Sequence, residues 1–308
     1  MSARQLAVGF DLGGTRVKAG VVDLAAGTVL DAAVLPTERG SESAFLCGLA
    51  SLWKRFSAQG PLLGAGVSIG SYVYADGSID GMSSFVPFLT AGYPLAEKLH
   101  AALGAPVRVD NDARLIALAE AWCGAAMGAR RSLTLTLGTG VGVGLVEDGR
   151  PVGRDSYMHL AGHIKVRTGG EYPFLDEPAC YCGMQGCFES TCSGTSLEKY
   201  VHHTCGPDVT NEALFRLAAA GDAAACAAVA WYLEMLSRAL NQYVYLYCPD
   251  VLVLGGGVAK GLVPCLDVLQ RRLTASVYTE QHTQLRLSAL REDAGILGAA
   301  FLFAPAAG

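Results

Sequence analysis

One short pattern occurs twice in this chain of 308 residues. Near the N-terminus, two apolar runs, Leu6 to Phe10 and Val17 to Val22, flank the turn Asp11-Leu-Gly-Gly-Thr15. The segment Ser132 to Asp148 repeats the same order of strand, glycine-rich turn and strand. Short β-rich runs joined by a glycine turn are typical of hairpins, and self-similarity within a chain indicates a duplicated unit. The repeat therefore predicts two homologous lobes, each of which begins with a hairpin.

The rest of the pattern alternates strands with helices, which predicts an α/β fold. Further strands are predicted at Pro61 to Ile69, Val107 to Asp112 and Val251 to Leu254. We expect an N-terminal lobe over residues 1–116 and a C-terminal lobe over residues 117–295. The helix at 296–308 is expected to pack back on the N-terminal lobe.

Composition excludes several classes of protein. Hydrophobic residues make up 51% of the chain and charged residues 17%, enough apolar surface for the cores of two domains. A net charge of -5 without a block of Lys or Arg argues against a nucleic-acid partner. The most apolar later stretch, Ala225 to Tyr247, carries polar residues three or four positions apart, as an amphipathic core helix does, so no membrane partner is expected. Glycines interrupt the N-terminus before a secretory signal could form, and we place the protein in the cytoplasm.

Three of the ten cysteines, Cys180, Cys182 and Cys187, lie within eight residues. In a reducing compartment such a cluster indicates a metal site before disulfides. Cys-x-Cys-x₄-Cys with one upstream histidine supplies four soft ligands, the number that zinc takes in a closed structural site. The other seven cysteines are expected to be small buried apolar residues.

Both glycine turns are candidates for phosphate binding. In the first, Gly13 and Gly14 would let backbone N–H groups approach an anion beside the Thr15 hydroxyl, and Asp11 could hold Mg²⁺ through water. The second, Gly138 to Gly144, lacks the ending of a Walker A loop and the βαβ setting of a dinucleotide fingerprint. Either could also be an ordinary structural turn.

The predicted strand that ends in Asp110-Asn111-Asp112 carries two candidate carboxylates. Alternation along a strand faces Asp110 and Asp112 the same way, so the residues alone leave the choice of a catalytic base open. A helix cap before Ala113 is a further interpretation of this segment.

In order along the chain, these motifs resemble the ROK family (repressors, open reading frames, kinases). The resemblance rests on Asp11-Leu-Gly-Gly-Thr15, Asn111-Asp112, Leu137-Gly-Thr-Gly140, Gly162-His163, Cys180-Tyr-Cys-Gly-Met-Gln-Gly-Cys187-Phe-Glu189 and Leu254-Gly-Gly-Gly257. It covers nearly the whole chain, and the cysteine motif is its most specific part. It implies two actin-like (ribonuclease H-like) lobes with ATP in the interdomain cleft. It also implies a homodimer that acts on a small-molecule sugar. The segment Glu189 to Gly194 resembles the same region of bacterial allose kinases.

The resemblance also implies roles for individual residues. Asp112 would be the general base in phosphoryl transfer from ATP to a sugar hydroxyl, a reaction assisted by Mg²⁺. The sugar would contact Asn111, His163 and Glu189. The residues implied to bind ATP and its phosphates are Asp11, Gly13, Gly14, Thr15, Gly138, Thr139, Gly140, Gly255, Gly256 and Gly257. Structural Zn²⁺ would be held by His163, Cys180, Cys182 and Cys187.

The chain departs from the family at its sugar contacts. Leu160 stands where many members have a glutamate that accepts sugar hydroxyls, and the family's sugar-binding asparagine is replaced near Ser83-Ser84-Phe85. A leucine accepts no hydrogen bond, so we expect a substrate other than glucose, with a rarer hexose such as allose as the first candidate. A non-catalytic sugar sensor or pseudokinase stays open as an alternative. A transcriptional regulator is not expected, because the phosphate motif begins at Asp11 and leaves no room for a DNA-binding region before it.

Overall fold

The computed structural model describes residues 4–82, 85–153, 155–278, 282–290 and 292–305. Ser83 and Ser84, two residues of the predicted departure at Ser83-Ser84-Phe85, lie outside these residues. The described part of the chain contains two five-stranded sheets and nine α-helices, which confirms the predicted α/β class.

The elements follow one another in a mixed order. The strands are β1 (Leu6–Leu12), β2 (Arg16–Asp23), β3 (Thr28–Pro36), β4 (Leu62–Ile69), β5 (Val107–Asn111), β6 (Arg131–Leu137), β7 (Val141–Glu147), β8 (Arg150–Pro151), β9 (Val251–Gly255) and β10 (Gln284–Leu287). The α-helices are α1 (Glu42–Ser57), α2 (Leu95–Leu103), α3 (Asp112–Cys123), α4 (Phe188–Cys192), α5 (Gly194–Cys205), α6 (Asn211–Ala219), α7 (Ala223–Tyr247), α8 (Leu266–Ser276) and α9 (Ala294–Phe301). Short 3₁₀ helices span Ser156–His163, Pro173–Leu175 and Val258–Cys265.

The two sheets have the same strand order. The first is β3-β2-β1-β4-β5, and the second, read in the matching direction, is β8-β7-β6-β9-β10. In the first, β1 pairs antiparallel with β2 and parallel with β4. In the second, β6 neighbours β7 and pairs parallel with β9. The hairpin pattern that recurs in the sequence therefore occupies the equivalent place in each sheet.

The chain divides into two compact units. The first comprises the described residues of 1–130, 144–159 and 289–308, and the second comprises those of 131–143 and 160–288. The division follows Arg130, whereas the boundary predicted between residues 116 and 117 falls inside α3. Leu115 and Leu118 place α3 in a core of the first unit, because both are buried among the residues of β1, β2 and α9.

In the first unit, the sheet has a hydrophobic core on each face. Val8 and Phe10 of β1 point into a core shared with α1 and α2, whereas Ala7 belongs to the core shared with α3 and α9. This alternation is the period of two expected for a strand that is buried on both sides.

Helix α9 lies directly on β1 and β4 because glycine is present at each contact. A Cβ atom on Gly9 would overlap the carbonyl group of Ile296, and one on Gly66 would overlap that of Ala299. Gly295, in the first turn of α9, lies against the Asp11 carboxyl group in the same way. The glycines thus fix the end of β1 that carries Asp11.

In the second unit, α7 is the central helix and contacts α4, α5, α6 and α8. Among the described residues it is the one helix with the length and hydropathy of a membrane span, properties that core helices of water-soluble domains share. Its buried side includes Tyr232, Leu236 and Tyr243, and Glu234 and Arg238 are exposed. The polar face predicted from the sequence is therefore present.

The prediction that the seven scattered cysteines are buried is wrong for three of them. Cys192 is buried, but Cys47, Cys226 and Cys248 are exposed. Cys47 lies on the outer side of α1, two residues from the buried Phe45 and Leu49, because helical periodicity turns that position to solvent.

Candidate active site

The first unit places the Asp110-Asn111-Asp112 segment where β5 ends and α3 begins. Asn111 is the N-cap of α3, and its side-chain oxygen accepts a hydrogen bond from the Ala113 N–H at 3.0 Å. Its amide nitrogen donates to the Ser71 carbonyl at 3.1 Å. Asn111 is buried and both ends of its amide are engaged, so these hydrogen bonds fix the residue that directly precedes Asp112.

Asp110 and Asp112 have different surroundings. Arg114 Nε donates to both oxygens of Asp110, at 2.8 and 3.1 Å, and the Arg114 side chain is only 3% exposed. Arg114 also donates to the carbonyl groups of Val152 and Gly153. Asp110 is therefore committed to a buried ion pair that ties β5 to α3.

Asp112 forms no ion pair with any described residue. One of its oxygens accepts a hydrogen bond from the Ala113 N–H at 2.8 Å, and the other faces Gly70, where a Cβ atom would lie 3.4 Å away. Burial raises the pKa of the Asp112 carboxyl group above the ordinary aspartate value. A half-buried carboxylate with a raised pKa and an accessible oxygen can accept a proton from a substrate.

Asp11 lies at the end of β1, close to Asp112. Its carboxyl group accepts a hydrogen bond from Ser68 Oγ at 3.0 Å. Burial and the negative charge of Asp112 raise the pKa of Asp11. Two carboxylates held near each other favour a divalent cation, which would offset their repulsion.

The turn after Asp11 contains the other predicted phosphate-binding residues of this unit. The turn is closed by the Gly13 N–H, which donates to the Arg16 carbonyl at 3.1 Å, and Thr37 Oγ donates to the Gly13 carbonyl at 2.6 Å. Gly14 packs on Phe85, and Thr15 is exposed. The structure therefore brings Asp11, Gly13, Gly14 and Thr15 together at one end of the first sheet.

The second unit contains a cavity of about 830 Å³ beside the second glycine turn. Its lining includes the predicted residues Gly138, Thr139 and Gly257, together with residues that the sequence reasoning missed: Gly194, Thr195, Glu198, Asn211, Glu212, Phe215, Val258, Lys260 and Gly261. Its volume is within the range of small-molecule and cofactor pockets. Gly255 and Gly256 lie at the end of β9, next to this lining.

Hydrogen bonds to carbonyl groups of the glycine turn join it to residues 194 and 195 of the cavity lining. The Gly194 N–H donates to the Gly138 carbonyl at 2.6 Å, and Thr195 Oγ1 donates to the Thr139 carbonyl at 3.0 Å. Asn211 donates its amide N–H to the Gly194 carbonyl at 2.8 Å, and its amide oxygen is buried without a partner among the described residues. Asn211 thus offers an acceptor for a ligand, and no sequence motif marked it.

The predicted zinc ligands lie together in the second unit. One atom each of His163, Cys180, Cys182 and Cys187 falls within 4.8 Å of all the others. His163 Nδ1 lies 3.5 Å from Cys180 Sγ and 3.9 Å from Cys187 Sγ. Tetrahedral zinc with N and S ligands requires separations of about 3.6 to 3.8 Å. The donor set and its spacing therefore fit Zn²⁺.

A buried ion pair supports the cysteine loop. Arg167 and Asp176 form two hydrogen bonds of 2.6 and 3.0 Å, with side chains 0% and 5% exposed. Asp176 also accepts from the Gly186 N–H at 3.0 Å, directly before Cys187. The sequence reasoning missed this pair, because residues nine positions apart in an irregular segment carry no periodic signal.

Glu189 and His163, both predicted to contact the sugar, have partners within the second unit. One carboxylate oxygen of Glu189 accepts from the Val141 N–H at 3.1 Å. His163 Nε2 lies 2.5 Å from the Tyr181 hydroxyl group. Glu189 sits in the first turn of α4, whose N-cap is Cys187, so a metal at the cysteines would also fix Glu189.

Known proteins are similar to this one over nearly the whole chain. The ROK family profile matches residues 7–306. A curated N-acetyl-D-glucosamine kinase from Salmonella heidelberg (strain SL476) is 32% identical over 305 residues, which cover 96% of this chain and 98% of that kinase.

Two solved structures are also similar. A ROK hexokinase from Thermus thermophilus has a TM-score of 0.84 and 33% identity, covering 96% of this chain and 97% of that one. A ROK family glucokinase from Streptomyces griseus, solved with glucose and AMPPNP, has a TM-score of 0.73 and 26% identity, covering 96% of this chain and 98% of that one. None of these three relatives is an allose kinase, and the resemblance of Glu189 to Gly194 to allose kinases stays a prediction.

Proposed function

Because this chain belongs to the ROK family, we propose that it is a sugar kinase in which Asp112 is the general base for phosphoryl transfer from ATP. The observation that carries the assignment of the base is the contrast between neighbouring carboxylates. Asp110 is held in a buried ion pair with Arg114, whereas Asp112 has a raised pKa and no ion-pair partner in the part of the chain that the structure describes. The predicted fold class, two actin-like lobes of α/β type, is confirmed by the similarity to the ROK kinases.

The proposed reaction has a simple balance of bonds. A sugar hydroxyl oxygen attacks the γ-phosphorus of ATP, and the bond between that phosphorus and the bridging oxygen breaks to release ADP. The hydroxyl proton passes to Asp112, which must be ionised to accept it. Such transfer depends on positioning and on neutralisation of phosphate charge more than on covalent chemistry by the protein.

For the nucleotide, we propose the cavity of about 830 Å³ in the second unit. Gly138 and Gly257 have no side chains, so phosphate and ribose groups can approach the backbone there. Phe215 supplies an apolar surface for the adenine ring. The glucokinase from Streptomyces griseus, solved with AMPPNP, supports an adenine nucleotide as the donor.

We propose that Mg²⁺ is held near Asp11, through water, where this carboxylate and that of Asp112 lie close to each other. The ion would neutralise charge on the transferring phosphate. Zn²⁺ is proposed at His163, Cys180, Cys182 and Cys187, where it would order the loop that carries Glu189 rather than take part in the transfer.

The proposed substrate is a hexose or hexose derivative, as the names of the relatives suggest. His163 and Glu189 of the second unit and Asn111 of the first are kept as proposed sugar-binding residues. The cytoplasmic location and the homodimer also remain part of the proposal.

A sugar panel tests this function. The purified protein would be incubated with ATP, Mg²⁺ and, in turn, N-acetyl-D-glucosamine, D-glucose, D-mannose and D-allose, with ADP measured by a coupled assay. Sugar-dependent ADP release with a phosphorylated sugar as product supports the proposal. ADP release that no sugar increases contradicts it, and Asp112→Asn protein purified in parallel reveals any contaminating kinase.

A further inference from the structure

Tyr72 in the first unit has ring contacts with both Tyr157 and His159, and the three rings form a small cluster. Tyr72 is 8% exposed, and its ring lies 4.9 Å from that of Tyr157 and 5.9 Å from that of His159. The charge of Asp112 acts on His159, as does that of Asp80. The group is therefore close to the proposed base, and neither the proposed chemistry nor the proposed metal sites use it.

The orientation of His159 follows from one hydrogen bond. Its Nδ1 lies 2.5 Å from the Ser156 carbonyl oxygen, and because a carbonyl group only accepts, Nδ1 must carry the hydrogen. Burial lowers the pKa of His159, against the opposing charges of Asp112 and Asp80 and with that of Arg114, so the ring is neutral at physiological pH. Nε2 then has a free lone pair.

No described residue occupies that lone pair. The hydrogen bond to Ser156 is the one that His159 makes within the described part of the chain, and the ring is only half-buried. A partly buried acceptor within the electrostatic influence of the proposed base is available to a polar group of the substrate.

The loop that carries His159 is held in place. The Ser156 N–H donates to the Val73 carbonyl at 3.1 Å, and Ser156 Oγ accepts from the Val73 N–H at 2.7 Å. The Tyr72 hydroxyl donates to Asp155 at 3.4 Å. These contacts fix the residues before His159, so its Nε2 is positioned before any ligand arrives.

We propose that His159 Nε2 accepts a hydrogen bond from a hydroxyl group of the sugar, and that this contact helps to select the substrate. The inference rests on the proposed function and adds to it a specificity residue in the first unit. Because Nε2 of this tautomer accepts and cannot donate, the site favours a hydroxyl over an ether or a missing group at that carbon. Loss of one such hydrogen bond should reduce kcat/KM about tenfold or more.

The test combines variants with deoxy sugars. His159→Phe keeps an aromatic ring beside Tyr72 but removes the acceptor, and His159→Gln keeps an amide oxygen near the position of Nε2. Each would be assayed by ADP release with whichever of N-acetyl-D-glucosamine, D-glucose, D-mannose and D-allose the wild-type protein uses best, and with the monodeoxy analogues of that sugar. Thermal denaturation would establish that each variant is folded.

The expected result is specific to one hydroxyl. Wild-type protein should lose about tenfold or more in kcat/KM with one deoxy analogue, and His159→Phe should lose as much with the parent sugar and nothing further with that analogue. The KM for ATP should stay within about twofold, and His159→Gln should recover part of the loss.

Several outcomes would overturn the inference. If His159→Phe discriminates between the parent sugar and every deoxy analogue as the wild type does, the hydrogen bond does not exist, although the kinase function stands. If His159→Phe does not fold, His159→Asn, whose amide is too short to reach the Nε2 position, replaces it in the same comparison. If the wild type releases no sugar-dependent ADP with any of the four sugars, the proposed function fails and the inference falls with it.

Discussion

Arg114 Nε, in the first turn of α3, donates to both carboxylate oxygens of Asp110 at the end of β5, at 2.8 and 3.1 Å. This pair distinguishes two carboxylates that the sequence leaves equivalent, because alternation along a strand faces Asp110 and Asp112 the same way. The ion pair gives Asp110 a structural role and leaves Asp112 as the carboxylate available to a substrate.

Asp110→Asn should destabilise the protein without removing catalysis. It leaves the Arg114 guanidinium, 3% exposed, without a counter-charge, and loss of one partner of a buried pair costs about 3 kcal/mol. Urea unfolding should show this loss, while kcat of the folded protein stays within about tenfold of the wild type. Glu234→Gln is the matched control, because Glu234 pairs with Arg238 at the same spacing but is 51% exposed, and it should change stability by less than about 1 kcal/mol. Loss of kcat in Asp110→Asn equal to that in Asp112→Asn would refute the distinction.

As the pH is lowered, activity should be lost at a higher pH than that at which an ordinary aspartate becomes protonated. Burial raises the pKa of Asp112, and a general base works only when ionised, so activity is present above that raised pKa and is lost as the pH falls through it. A pH profile of kcat, with thermal denaturation at each pH to exclude unfolding, measures this limb. The residual activity of Asp112→Asn should lack it. If kcat falls to half its maximum only at or below pH about 3.9, the ordinary pKa of aspartate, Asp112 is not the titrating base.

The repeat in the sequence was enough to predict much of the fold. The strands predicted at Leu6 to Phe10 and Val17 to Val22 correspond to β1 and β2. Two short apolar runs on either side of a glycine turn favour a hairpin over a helix. The strand β3 (Thr28–Pro36) was not predicted, because its apolar residues do not alternate with polar ones, although every second residue is exposed in the structure. The predicted boundary between residues 116 and 117 falls inside α3, whose buried side faces a core that includes the distant segment Ala294–Phe301, and no local pattern predicts that contact.

The candidate site divides in the same way. Local motifs marked Asp11, Asp112 and the cysteines, because their residue types lie within a few positions of one another. Asn211 depends on contacts between distant segments, and no local pattern predicts such contacts. The pair of Asp110 and Arg114 carried no periodic signal either, because Asp110 lies at the end of a strand and Arg114 lies in the first turn of the following helix.

Purified protein should contain about one Zn²⁺ per chain, measured by elemental analysis of material never exposed to a chelator. Cys182→Ser should lose the metal, lower the thermal midpoint by about 5 °C or more and raise the KM for the sugar, because the metal fixes the loop before Glu189. Cys47→Ser, at an exposed cysteine of the first unit, should retain the metal and the thermal midpoint. Protein free of zinc with full stability would exclude the site.

Glucose should be a poor substrate. Leu160 offers no acceptor, and a sugar hydroxyl left unpaired in a closed site reduces transition-state binding. We expect a kcat/KM for glucose below about 10⁵ M⁻¹s⁻¹, a value that an enzyme usually reaches or exceeds with its preferred substrate. Leu160→Glu should raise the value for glucose relative to the best sugar of the panel, and Leu160→Met should not. A wild-type value for glucose above that threshold would reject the prediction.

The most direct measurement of the central claim compares the wild type with Asp112→Asn in sugar-dependent ADP release and in thermal stability. Asparagine keeps the shape of Asp112 but cannot accept the proton, so kcat should fall by about 10²- to 10⁴-fold while the KM for ATP changes little. The raised pKa means that folding disfavours the charged carboxylate at neutral pH, so the variant should unfold at the same temperature as the wild type or a higher one. Retained turnover in a folded Asp112→Asn protein would contradict the assignment of Asp112 as the base.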